Sequence, residues 1–273
     1  MAIITISRGT FSGGERLAEC LGRRLGYRTM CREVLVLAAS MFEVSETDLV
    51  KAIEKETSIK ERLLLKNKDR LRYLSFIQSA LCEEAKKDNL IYRGHAGHLL
   101  LNGVSHVLKV KVIAPMEQRI AFVMERNKLS VKEAKQYIRD KDRQRKQWAK
   151  FLYNVDWNDP SLYDIVVNLN TITIPAACET IAVLVNTPPF RTTEASRTAM
   201  NDLAVTSRVK AALAYDEATR DFAIDVATDD GVVTLTGRVN NMQEIDTIEK
   251  VVAGVPDVKD VRCNCTLYSP QET

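Results

Sequence analysis

An α/β fold, a mostly parallel sheet with helices on both faces followed by a smaller α+β unit, is what this chain predicts, on three observations. Short apolar, β-branched segments alternate with long helical patterns. A glycine-rich turn joins the first such segment to the first helix. Composition then changes at Asn186-Thr187-Pro188-Pro189-Phe190-Arg191-Thr192-Thr193, after which the elements become short and regular. Strands alternating with helices imply a parallel sheet covered on both sides, and two prolines in a threonine-rich stretch read as a stiff, extended linker. The expected boundaries are therefore 1–185 for the first domain, 186–200 for the linker and 201–270 for the second domain; 273 residues suffice for one larger and one smaller core.

Ile3-Ile4-Thr5-Ile6 reads as a buried strand running into Ser7-Arg8-Gly9-Thr10-Phe11-Ser12-Gly13-Gly14 and then an amphipathic run over 17–25. Such a strand, turn and helix offer the backbone amides of Ser12, Gly13 and Gly14 to a phosphate. Gly9 and Gly14 have the spacing of G-x-x-x-x-G-K-[ST], but Glu15 and Arg16 stand where the lysine and the magnesium-binding hydroxyl would be. Glu15 is expected to point away from a bound anion, with its charge favoured by the positive end of the helix. A strand-like 27–30 follows, and Leu64, Leu71, Leu74, Ile77, Leu81 and Ala85 recur at helical spacing within a helix expected over 63–87. Further strands are expected at 90–93, 107–113 and 164–168. Ser130 with Glu133 forms a capping box that should start a basic helix, and Pro175 belongs in the first turn of a helix ending at Leu184. Beyond the boundary come a helix over 203–214, a strand over 223–228, an Asp229-Asp230-Gly231 turn, a strand over 232–237, a helix over 243–253 and a strand over 258–267. Asp-Gly between β-branched runs is a hairpin signal.

A hydrophobic content of 45% with 27% charged residues describes a globular protein, and a net charge of +3 with no aromatic-interleaved basic stripe gives no reason to expect nucleic acid as a partner. No run approaches the roughly 18–20 apolar residues a bilayer requires, and no export signal opens the chain, so a cytoplasmic location is expected. Six cysteines scattered without a C-x-x-C pair suggest reduced, mostly buried thiols. His95, His98 and His106 lack a carboxylate at ligand spacing, so no metal site is expected. Local charge says more. The stretch 126–150 is dense in Lys and Arg, and reads either as a solvated helix face or as a positive flap over a polyphosphate.

Ser7-Arg8, the Ser12-Gly13-Gly14 turn, Arg93-Gly94, Ala114-Pro115 with Arg119, Asp140 to Arg145 and Ser161-Leu162-Tyr163-Asp164 together resemble the cytidylate kinase-like branch of the P-loop nucleoside monophosphate kinases, over 2–184. Ser207 to Leu213, Asp230 to Gly237 and Gly254 to Val261 resemble a BON domain, over 203–268. The first resemblance implies a P-loop kinase-type sheet that uses ATP and Mg2+ and moves the γ-phosphate to CMP, dCMP or a related nucleotide. It implies a donor cradle of Arg8, Gly9, Ser12, Gly13, Gly14 and Arg16, acceptor contacts from Arg32, Arg93 and Arg119, and a lid in which Arg139, Arg143 and Arg145 neutralise the transferring phosphate while Asp142 orients an arginine or the acceptor base. Arginine suits that task because its planar fork holds phosphate through two donors; surface ion pairs are the alternative for the cluster, and an exposed helix start is the alternative for Arg32. The position of Arg93 at the carboxyl end of a strand is where open α/β sheets bind ligands. The second resemblance implies a small binding module, with a protein or phospholipid partner and a homo-oligomer among its possibilities. Altered residues in the turn leave a second reading, a catalytically degenerate nucleotide sensor or scaffold acting through the BON domain.

Overall fold

A computed structural model describes residues 2–54 and 67–268. The first four residues of the expected helix over 63–87 and the ends of the expected domains, at 1 and 269–270, lie outside the described residues. Five parallel strands form the first sheet, in the order β2-β3-β1-β4-β5, from β1 (Ile3–Arg8), β2 (Arg28–Met30), β3 (Leu90–Tyr92), β4 (Val107–Ile113) and β5 (Ile165–Asn168). β1 is central because Ile3, Ile4 and Ile6 are apolar toward both faces, and it is almost wholly buried. α1 (Gly14–Leu25) and α8 (Ile174–Val185) cover one face, packing Leu17, Leu21, Ala177, Ile181 and Val185 against Ile4, Ile6, Val110 and Val112. The short α5 (Gly97–Leu100) also packs against β1 and β4. α6 (Met116–Asn127) and α7 (Val131–Tyr153) form an antiparallel-type pair sealed by Val123, Ala134 and Ile138. The expected capping box is present: the Ser130 amide donates to Glu133 Oε2 (2.9 Å), and α7 begins there. Pro175 sits in the first turn of α8, with Thr173 as its cap.

The second sheet has three strands, β6 (Ile224–Asp229), β7 (Val232–Val239) and β8 (Asp260–Leu267), with β7 in the middle. β6 and β7 pair antiparallel through the Asp230-Gly231 turn, where both residues take positive φ, while β8 returns parallel to β7 after α10 (Met242–Ala253). Val226, Val233, Leu235 and Val239 face Val205, Val209, Ile248 and Val252 of α9 (Glu194–Tyr215) and α10. α9 begins inside the stretch expected as linker, so 194–200 are its first turns.

The described residues divide into two compact units, and the division does not follow chain order: the first holds 2–33, 53–54 and 87–193, the second 34–52, 67–86 and 194–268. Most of α2 (Glu33–Met41), most of α3 (Glu46–Glu54) and α4 (Asn67–Ala85) thus belong with the C-terminal sheet, although they interrupt the first sheet in sequence. α4 lies along α9. Phe42 stacks on Phe76 at 4.2 Å between ring centroids, and Tyr215 of α9 meets both rings at 6.3 Å. Arg208 of α9 clamps the joint, donating to Glu83 of α4 (2.6 and 3.0 Å), to the Pro256 carbonyl (2.6 Å) and to Asp257 (3.2 Å). Replacing Arg208 with methionine keeps the stem but leaves Glu83 and the carbonyl unpaired. A loss of about 1–3 kcal/mol in the unfolding of this unit is expected, read by chemical denaturation.

Candidate functional site

β1 ends at Arg8 and the chain turns at once through 9–13 into α1. The turn is tied from within. The Ser12 amide donates to the Gly9 carbonyl (3.2 Å), and the Ser12 hydroxyl lies 3.0 Å from the carbonyls of both Gly9 and Val112. Gly13 takes φ +89°, and a Cβ there would also strike Leu169. At Gly14 a Cβ would stand 2.7 Å from Arg8 Cδ, so glycine is what lets the stem of Arg8 cross the mouth of the helix. The first intrahelical bond runs from the Leu17 amide to the Gly13 carbonyl (3.1 Å), leaving the amides of Gly14, Glu15 and Arg16 outside the helical ladder. Of the amides expected to be open at Ser12, Gly13 and Gly14, that of Ser12 is spent in closing the turn.

One carboxylate organises what surrounds this turn. Asp142, in the middle of α7, accepts from the Thr10 amide (2.9 Å), the Thr10 hydroxyl (2.8 Å) and Arg145 Nη1 (3.1 Å) on one oxygen, and from Arg119 Nη2 on the other. Arg119 Nε also donates to the Thr10 carbonyl (2.7 Å), and Arg145 Nη1 to the Thr10 hydroxyl. Gly9 makes room for this, since its missing Cβ would lie 3.2 Å from the Arg119 guanidinium carbon. Arg119, expected among the substrate contacts, is buried behind the turn, where it donates to the Thr10 carbonyl and to Asp142. Like Asp142, it positions the wall without bordering the cleft.

The cleft in front of the turn has a volume of about 850 Å³, and Arg8, Arg32, Arg93, Arg126, Lys141 and Arg145 all border it. Burial holds the Arg8 guanidinium down to about 10, and the neighbouring charges of Arg145 and Arg93 push the same way. Arg145 is also lowered, by burial, with Asp142 pulling against it. Arg8 makes no ion pair among the described residues. His95 borders the same space and is driven to about 3 by burial and then by Arg145 and Arg8, so it stands there as a neutral imidazole. Glu15 does not point away as expected: it borders the cleft, with Arg93 Nη2 3.3 Å from one carboxylate oxygen and Arg126 Nη1 3.3 Å from the other. Exposed Arg16 stands between this cleft and a second hollow of about 330 Å³, whose apolar wall includes Phe122, Leu169, Ile172 and Ile174.

Arg139 and Arg143 are exposed on α7 and do not border the cleft; Arg143 pairs with Asp140 at 2.6 Å. Helical phase explains the separation. With about 100° per residue, Arg139 and Arg143 lie about 100° and 140° from buried Ile138, whereas Arg145 lies within about 20° of it. The same phase puts Tyr137 and Lys141 on the cleft side, which the sequence reading did not assign. Ala134 and Ile138 carried that signal. Arg126 was missed because it ends a different helix.

Behind the turn, Lys111 of β4 is buried, donates to the Trp157 carbonyl (2.6 Å) and lies 3.9 Å from the Trp157 ring centroid and 4.9 Å from that of Tyr163. Tyr163 donates to the same carbonyl (2.9 Å), and Ser7 Oγ is 2.8 Å from His98 Nδ1. The Lys111 contacts tie the segment after α7 to the sheet, and the Ser7–His98 contact ties α5 to β1.

A strand, glycine turn and helix facing a cationic cleft on a five-stranded parallel sheet define a P-loop kinase fold. Comparison with known proteins makes this specific: a model of the cytidylate kinase-like family matches residues 3–171 and a model of the BON domain matches 201–267. The chain belongs to the cytidylate kinase-like family, whose members are nucleoside monophosphate kinases, and carries a BON domain. It is 29% identical over 185 residues to a cytidylate kinase of Ignicoccus hospitalis, covering 66% of this chain and 97% of that one. A cytidylate kinase of Methanothrix thermoacetophila is 30% identical over 170 residues, covering 61% and 87%. Among solved structures, an uncharacterized protein from Eubacterium ventriosum superposes with a TM-score of 0.51 at 18% identity, over 68% of this chain and 99% of that one, a likeness of fold.

Two outcomes follow from the local geometry. Asp142→Ala should cost about 1–3 kcal/mol of stability by unpairing Thr10, Arg119 and Arg145 together, measured by denaturant titration. Burial lowers Lys111 from its ordinary 10.5 to about 8, so between those values the unfolded chain holds a proton the folded chain has released. Stability from this group therefore rises as pH increases from about 8 toward 10.5, and the wild type should gain on Lys111→Met in denaturation midpoints taken across that window.

Proposed function

We propose that the protein transfers the γ-phosphate of ATP to CMP, dCMP or a related nucleoside monophosphate. The observation that carries this reading is the convergence of Arg8, Arg93 and Arg145 on one cleft beside the open amides of α1. Like charges crowded into one cleft are costly to hold together, and a polyanion between them removes that cost. A nucleotide triphosphate on the α1 amides, with its base in the second hollow against Phe122 and Ile172, would place its terminal phosphate toward Arg8 and Arg145. The acceptor would then enter from the side of Arg32 and Arg93, its phosphate turned toward the same guanidiniums.

Phosphoryl transfer demands position and charge more than covalent help. Arg145 is held by Thr10 and Asp142, so its fork is oriented before ligand arrives. The neutral imidazole of His95 offers a hydrogen bond without adding a charge. Magnesium fits this site as part of the donor: Arg16 stands where a hydroxyl ligand would be, Asp142 is already surrounded by donors, and no group of three or more metal-ligating side chains occurs among the described residues. When bound with the nucleotide it supplies charge neutralisation on the phosphates. Neutralisation by the protein falls to its arginines.

The names of the curated relatives favour cytidine as the acceptor base. The test is coupled turnover of ATP with a panel of monophosphates. Expected are activity greatest with CMP or dCMP and a loss of about 10²-fold or more in Arg145→Ala with folding retained; absence of transfer to every monophosphate, from folded protein, would defeat the reading. One observation favours the alternative of a nucleotide sensor: Glu15 holds the place of the lysine and engages two of the cleft's arginines. Nucleotide binding measured by calorimetry, with no transfer, would select it.

A further inference from the structure

We infer that Glu15 is an internal stand-in for phosphate, a carboxylate that engages two arginines of the cleft and is displaced from them when a polyphosphate binds. The inference rests on the nucleotide-site reading above and concerns what sets the affinity of that site. Glu15 lies in the first turn of α1, immediately after Gly14, at the point where the open amides meet the cleft. Its two oxygens face different walls. One meets Arg93, which follows β3; the other meets Arg126, in the last turn of α6. Arg126 is also 5.6 Å from the ring centroid of Phe11, inside the glycine turn, so both of its contacts lie at the cradle.

The strength of these contacts decides their role. Both are long, at 3.3 Å; the Glu15 side chain is 47% exposed and that of Arg126 is 65% exposed, while that of Arg93 is 17% exposed. Ion pairs this long to a half-exposed carboxylate are individually weak, since water competes for the carboxylate. They hold the arginines in place without locking them. By contrast, Arg145 and Arg119 are fixed by shorter, more buried bonds to Asp142 and Thr10. Of the arginines that border the cleft, Arg145 is thus fixed beside the turn, with Arg119 behind it as support, while Arg93 and Arg126 are tethered more loosely to an internal anion. A phosphate carries more charge and more acceptor oxygens than a carboxylate, and takes bidentate contacts from both guanidiniums. Once it binds, Glu15 gives up its partners and leaves a negative charge beside the ligand. The carboxylate therefore works against binding twice, by competing beforehand and by repelling afterwards, and it holds affinity below what the arginines alone would give.

The experiment is calorimetric titration of the full-length wild type, Glu15→Gln and Glu15→Asp with inorganic tripolyphosphate and, separately, with ATP. Glu15→Gln keeps the shape and removes the charge; it is expected to bind both probes about three- to tenfold more tightly, the scale set by two weak pairs. Glu15→Asp, which retains the charge, is expected to stay near the wild type. In Glu15→Gln combined with Arg126→Ala the gain should shrink, because one of the released partners is gone. Wild-type binding with no gain, or a loss, in folded Glu15→Gln would overturn this inference while leaving the nucleotide-site reading intact; a wild type that binds neither probe would overturn both.

Discussion

The attachment of one carboxylate, Asp142, to the backbone and hydroxyl of Thr10 is the constraint on which the site depends. A glycine-rich turn has little side-chain packing to hold it, and glycine pays a large entropic cost to be ordered. Here the tie comes from the middle of a 23-residue helix whose apolar face is already fixed by Ala134 and Ile138. Because the same carboxylate also receives Arg119 and Arg145, the turn, α6 and α7 share one polar junction. Each partner fixes the rotamer of the next. Arg119, with its charge satisfied beneath the turn, acts as a strut, and Arg145 emerges at the cleft already oriented.

Electrostatics then set the character of the cleft. Burial raises the cost of charge at Arg8 and Arg145, and Glu15 supplies a negative charge to Arg93 and Arg126 at the mouth of α1. Glu15 and Arg16 in the places of a lysine and a hydroxyl lower the charge of the frame itself by one, and the stem of Arg8, from the preceding strand, passes over Gly14 at the helix mouth. The backbone amides need no particular side chain and remain available at Gly14, Glu15 and Arg16.

The C-terminal sheet has a different partner from the one chain order suggests. Its helix α9 is covered by α4, and the segment carrying α2 to α4 lies between β2 and β3 of the first sheet in sequence. Arg208, Glu83 and the aromatic group of Phe42, Phe76 and Tyr215 make that joint partly polar and partly apolar. The BON domain is therefore part of a larger body that includes helices from within the kinase segment. Packing of this kind joins residues more than a hundred positions apart.

Local rules carried much of the fold. Alternating apolar runs located every strand of both sheets within a few residues, Ser130 and Glu133 marked the start of α7, Pro175 marked α8, and Asp230-Gly231 marked the hairpin, because each depends on neighbours close in sequence. The glycine turn was legible for the same reason, as was the likeness to the cytidylate kinase-like family and to BON. The sequence by itself thus determined the strands and most of the longer helices, together with the glycine turn, while α2, α3 and the short α5 were not anticipated. Only the tertiary structure decided which charges meet: that Asp142 reaches Thr10, that Arg119 turns inward, and that Glu15 faces Arg93 and Arg126. Those outcomes depend on distances between segments far apart in the chain, and a Coulombic contact of a few ångströms leaves no periodic trace in the order of residues.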